Sequence, residues 1–84
     1  MKYMEYKIDK ELIEGWLRVL ARKSNGEKNF RDAITLAYFS DLTEEEKSII
    51  YTLHNLYLAE LSGKIIPPIY LEELYLRLVS DGDF

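Results

Sequence analysis

The sequence predicts an all-α fold: a compact four-helix bundle or an orthogonal helical domain, entered through a short N-terminal arm. Three observations carry this expectation. Apolar residues recur at intervals of three and four in four separate segments. Each segment opens on a residue suited to a helix start, and most close on Ser, Asn or Gly. The 4 Gly and 2 Pro of the 84-residue chain sit at segment ends, Gly15 excepted.

Eighty-four residues are enough for one domain, read here as 1–84, with helices over about 10–24, 30–40, 44–62 and 68–80. A chain this short buries only about 60–65% of the surface its unfolded form exposes, so its net stability is small. Apolar residues make up 48% and charged residues 31%, a globular balance. There is no internal repeat and no low-complexity tract.

The first eight residues alternate Met4, Tyr6 and Ile8, which suits an extended arm. Asp9 is a good N-cap for the first helix. Leu12, Ile13, Trp16, Leu17 and Leu20 then form one apolar face. Gly15 weakens that helix and leaves room for a neighbour to approach. Ser24-Asn25-Gly26 ends it, since Asn and Gly tolerate positive φ.

Asn29 caps the second helix. Phe30, Ala33, Ile34 and Ala37 line one side, and Leu36, Tyr38 and Phe39 widen it, so the sequence predicts that this helix is the most buried. Thr43-Glu44-Glu45-Glu46 is a capping box, with three carboxylates at the positive end of the helix dipole. Ile49, Ile50, Leu53, Leu56, Tyr57 and Leu61 supply the third helix's inner face, and Ser62-Gly63 closes it. Ile65-Ile66-Pro67-Pro68 is extended, because a residue before Pro avoids the α region. Pro68 then suits the first turn of a fourth helix, whose inner face is Leu71, Leu74, Tyr75 and Leu78. Ser80 to Phe84 reads as a polar, frayed tail.

Several chemistries are disfavoured at once. There is no cysteine, hence no disulfide, thiolate ligand or thiol nucleophile, which fits a reducing compartment. The one histidine, His54, has Tyr51 three residues before it, so the Glu-x-x-His metal motif is missing. No glycine-rich phosphate loop occurs. Most serines and threonines sit at helix ends, where capping accounts for them. The carboxylate pairs Glu72/Glu73 and Asp81/Asp83 lack any sign of a desolvated cleft. The expectation is a chain that is not an enzyme and takes no cofactor or metal. No apolar run is long enough to span a bilayer, and no signal peptide is evident. A cytoplasmic location follows, or the host cytoplasm for a phage-encoded chain.

Charge is polarised. Residues 1–40 carry eight Lys and Arg against six acids, a net of +2, and residues 41–84 carry three against nine, a net of −6. Such polarity steers partners. Seven tyrosines in 84 residues exceed what the inner faces use. Tyr offers an apolar body and a polar tip, which favours interfaces. Glu46, Tyr51, Glu60, Tyr70, Glu72 and Glu73 thus form a candidate acidic, aromatic face for a protein partner that is basic or binds nucleic acid. Arg18, Arg22, Lys23, Lys28 and Arg31 form an opposing patch able to meet phosphates, though without a recognition motif that points to direct nucleic-acid binding. The leading expectation is a small interaction module that binds and masks or modulates a macromolecule, as phage- or plasmid-type inhibitors and immunity proteins do. A homo-oligomeric subunit, a homodimer for example, is an alternative.

Leu42, Glu46, Tyr51 and Leu58-Ala59-Glu60-Leu61, followed by Ile66-Pro67, carry a local likeness over about a quarter of the chain. Residues 42–61 resemble the third helix of the Hha/YmoA family of small enterobacterial regulators. The resemblance implies a four-helix partner of a nucleoid-structuring protein, with the Arg18/Arg22 region near DNA and an acidic surface of this chain holding the protein partner. That family is basic, whereas residues 41–84 here net −6, and the spacing to Ile66-Pro67 needs a gap.

Overall fold

The computed structural model describes residues 9–84, so the expected arm over residues 1–8 lies outside the described residues. Four helices follow in order: α1 (Lys10–Lys23), α2 (Phe30–Tyr38), α3 (Glu44–Leu61) and α4 (Leu71–Ser80), with no strand among the described residues. The fold is a small all-α helical bundle. α1 is its centre and packs against each of the other three helices.

The helix starts follow local chemistry. Asp9 accepts the amides of Glu11 and Leu12, and Asn29 accepts the amide of Asp32. The capping box of α3 is complete: the Glu46 amide donates to Thr43 Oγ1 at 3.1 Å, and the Thr43 amide donates to Glu46 Oε1 at 2.9 Å. The ends are as regular. After α1, Asn25 is left-handed, and Gly26 donates to the Ala21 carbonyl at 2.8 Å. After α3, Gly63 is left-handed, and Lys64 donates to the Ala59 carbonyl at 2.9 Å. α4 closes in the same way through Gly82 and Asp83. Each is a Schellman end, which satisfies carbonyls the helix leaves open.

Every helix feeds one core. Leu17, Leu20 and Ala21 of α1 meet Phe30, Ala33 and Ala37 of α2, Ile50, Leu53 and Tyr57 of α3, and Leu71, Tyr75 and Leu78 of α4. The Phe30 ring stands between two tyrosines, 4.8 Å from Tyr57 and 5.5 Å edge-on from Tyr75. Such offset and edge contacts add to simple area burial. Tyr75 is fully buried, and its hydroxyl donates to the Glu27 carbonyl at 2.6 Å and lies 3.1 Å from Ser24 Oγ. That pair of contacts ties α4 to the α1–α2 loop.

Several expectations change. The second helix ends at Tyr38, and Leu36, Tyr38 and Phe39 face outward, Phe39 86% exposed, so its apolar girth is partly surface. Leu12 and Leu61 also leave the inner faces assigned to them. Gly15 accommodates no neighbour, since an added Cβ would meet nothing within 4 Å. The tail is fastened: Asp83 pairs with Arg18 at 3.1 Å, and the Phe84 ring lies over Gly26.

The fourth helix begins at Leu71 and not at Pro68. Ile69 turns inward and is buried, while Tyr70 takes a left-handed conformation at φ 62°, so the helical path opens one residue later. Tertiary burial of Ile69 overrides the local preference of proline for a first turn.

Candidate protein-binding surface

The six residues of the expected acidic, aromatic face divide by what they already hold. Glu46 closes the α3 capping box and pairs with Lys23 at 3.3 Å. The Thr43 amide, and after it Lys23, holds its carboxyl below the usual range. Glu60 reaches across to the head of α4. Its carboxylate accepts the amides of Ile69 at 2.5 Å, Tyr70 at 2.6 Å and Leu71 at 2.9 Å. Both acids therefore serve helix ends, where a negative charge meets unsatisfied N–H groups and the helix dipole.

Tyr70, Glu72 and Glu73 are brought together on the first turn of α4, and all three are exposed. Neither glutamate has an ion-pair partner within 4 Å among the described residues. Tyr70 is 58% exposed and left-handed, a conformation uncommon for a residue with a Cβ. Glu72 also faces Tyr57: burial, and then this carboxylate, raise the Tyr57 phenol above its ordinary value.

Tyr51 lies on α3, away from α4, and its neighbour is Tyr38. Burial, and after it Tyr51, raise the Tyr38 phenol. Tyr38 in turn reaches across to α3, its hydroxyl 3.3 Å from His54 Nδ1 and its ring edge-on to the imidazole. These residues open a groove of about 330 Å³ between α2 and α3. Ile34, Thr35 and Tyr38 form one wall, and His54, Leu58 and Leu61 form the other, with Arg31 and Tyr57 completing the lining.

The groove exposes a pattern in α3 beyond its inner face. Tyr51, His54, Leu58 and Leu61 are spaced three, four and three, a second stripe beside the buried stripe of Ile50, Leu53 and Tyr57. Tyr51 is 63% exposed, Leu58 47% and Leu61 60%. The signal was present in the sequence as surplus apolar residues, but spacing alone does not tell which of two adjacent stripes faces the core.

The cationic patch is also divided. Arg18 is held by Asp83, and Lys23 by Glu46 and the Asp41 carbonyl at 3.0 Å. Arg22, Lys28 and Arg31 stay exposed, with Arg31 at the rim of the groove. No group of three or more metal-ligating side chains gathers among the described residues. No described helix is long and apolar enough to cross a membrane.

No protein family model, curated protein or solved structure matches the chain. The likeness of residues 42–61 to Hha/YmoA therefore stands on those residues alone.

Proposed function

We propose that this chain is a small, non-catalytic interaction module that binds a basic macromolecule stoichiometrically and masks or modulates it. The contact is the head of α4, where Tyr70 stands out from the surface beside Glu72 and Glu73. The carrying observation is the conformation of Tyr70. A bulky residue held left-handed costs on the order of 1–2 kcal/mol, and here the residue is exposed rather than packed. Such an outlier supports a role at a contact, because folding alone gains nothing from that side chain. Its neighbours Glu72 and Glu73 carry negative charge that no cation among the described residues pairs, which favours a cationic partner and raises the encounter rate.

Affinity capture from a lysate of the native host, read by mass spectrometry, tests this reading. The expected result is one stoichiometric basic or nucleic-acid-binding protein, captured by the wild-type chain and lost with Glu72→Lys/Glu73→Lys. Tyr70→Asn, which suits the left-handed turn, is expected to keep or raise the melting temperature while weakening capture at least about tenfold, as at an aromatic hot spot. Capture insensitive to all three substitutions, or a turnover abolished by one side-chain change, sinks the proposal.

A further inference from the structure

The two prolines that precede α4 serve neither a helix nor the core, since both are exposed and α4 begins at Leu71. With the two residues after them they read Pro67-Pro68-Ile69-Tyr70, a Pro-Pro-x-Tyr run. We infer that this run is a docking peptide carried on the bundle, and that its partner is a domain of the WW type. Such a domain grips a polyproline II segment in a groove lined by aromatic side chains, and the edge of this one is cationic. The inference rests on the proposed contact at the head of α4 and names the kind of partner that contact takes.

The first argument is display. The proline rings lock φ at the value polyproline II needs, and Pro68 to Tyr70 belong to no regular element. A polyproline II helix turns every three residues, so Pro67 and Tyr70 share a face, with Pro68 beside it. The residue that such a face leaves out is the one the core takes. Ile69 is 7% exposed, whereas Tyr70 is 58% exposed and both prolines are exposed. Ile69 thus pegs the run to the bundle, and the three residues a groove grips stand outside. The carbonyls of Pro67 and Pro68 accept no backbone amide among the described residues, which leaves them for a partner's donors. Glu60 already holds the amides of Ile69, Tyr70 and Leu71. That clip fixes the run before a partner arrives and lowers the cost of ordering it.

The second argument is selection among proline-binding grooves. An SH3-type groove takes a proline at each end of a four-residue frame. Here Tyr70 stands where the second proline of a frame opened by Pro67 would be, and buried Leu71 ends the frame opened by Pro68. Tyrosine in that place offers an apolar body and a polar tip to a pocket at the end of the groove. Charge then selects the edge of the groove. Glu72 and Glu73 follow at once on the exposed first turn of α4, and no cation among the described residues pairs them. Left-handed Tyr70 turns the chain directly from the run into the helix, which sets both carboxylates at the run's end. They match Lys or Arg beside the partner's tyrosine pocket.

The probe is an isotope-labelled WW domain that binds Pro-Pro-x-Tyr peptides and carries Lys or Arg at its groove edge. Titration with the full chain, followed by NMR, is expected to show saturable one-to-one binding with shifts confined to the aromatic groove. Pro68→Ala and Tyr70→Ala, both at exposed positions, leave the helical circular dichroism intact and each raise the Kd at least about tenfold. Glu72→Lys/Glu73→Lys raises it about two- to fivefold, as weak surface pairs do. An SH3 domain is not bound. No saturation at about 1 mM chain, an affinity indifferent to Pro68→Ala, or tighter binding to the SH3 domain overturns the inference. WW binding that needs Pro68 and Tyr70 but ignores Glu72→Lys/Glu73→Lys overturns the cationic edge. Capture of a basic partner that is lost with Glu72→Lys/Glu73→Lys yet ignores Pro68→Ala leaves the contact on α4 standing and overturns its assignment to a proline-binding groove.

Discussion

The carboxylate of Glu60 receives three consecutive amides from a segment that begins nine residues later in the chain. No local pattern announces such a contact. Glu46, by contrast, lies three residues after Thr43, and its capping role is readable from the letters alone. Both acids entered the candidate interface as surface charge, and the structure gives both a second task at helix ends. Glu60→Ala is expected to cost about 2–3 kcal/mol, because it strips the partner from three donors at the head of α4. Glu60→Gln keeps an acceptor but loses the charge, and recovers about half of that. Thermal unfolding of the two variants checks both the loss and its order. An unchanged melting temperature for Glu60→Ala would mean that water serves these amides equally well. Tyr70 was legible as an exposed aromatic but not as a left-handed residue, since positive φ is rare without Gly or Asn and leaves no sequence mark.

At the level of elements, the sequence shows where α1 and α3 stop and where the first three helices start more clearly than which side faces inward. Asp9, Asn29 and Thr43 cap as their chemistry directs, and Asn25-Gly26 and Gly63 end their helices in left-handed turns. Those decisions are made within four residues. The facing of α3 is not, because apolar residues cover more than one side and the choice belongs to the helices packed against it. Pro67-Pro68 misplaces the start of α4 for a related reason: burial of Ile69 is settled by the core. Gly15 lies in the middle of α1, with ordinary helical φ and no atom within 4 Å of the place an added methyl group would take. Gly15→Ala is therefore expected to stabilise the chain by about 0.5–1 kcal/mol. For a domain of this size that is a rise of about 2–8 °C in Tm. A fall in Tm on this substitution would show that α1 needs the freedom of glycine there.

Over the whole molecule, the described groups whose titration folding displaces lie in the core, on the wall of the α2–α3 groove and at the start of α3, and they act at the two ends of the pH range. Glu46 is held below its ordinary value of 4.5, first by the Thr43 amide. Its contribution is present above that value and is lost as pH falls toward the lowered one. The alkaline limit rests on tyrosine. Tyr75 is raised above 10.0 by burial, and Tyr57 and Tyr38 are raised for the same leading reason. The folded chain thus holds these phenolic protons more tightly than the unfolded chain. Stability is full below pH 10 and declines as pH rises through and beyond it, at no more than about 1.4 kcal/mol per pH unit for each tyrosine. Tyr75 dominates, since its ring has no access to water and its hydroxyl proton is committed to the Glu27 carbonyl. Tyr75→Phe separates the two roles of that hydroxyl. It is expected to cost about 1 kcal/mol at pH 7 by leaving the Glu27 carbonyl without its donor. It is also expected to flatten the loss of stability above pH 10. Denaturant unfolding at pH 7, 9, 10 and 11 reads both effects. A Tyr75→Phe chain as alkali-sensitive as the wild type would move the alkaline limit to Tyr57, at the join between the groove and the acidic head of α4.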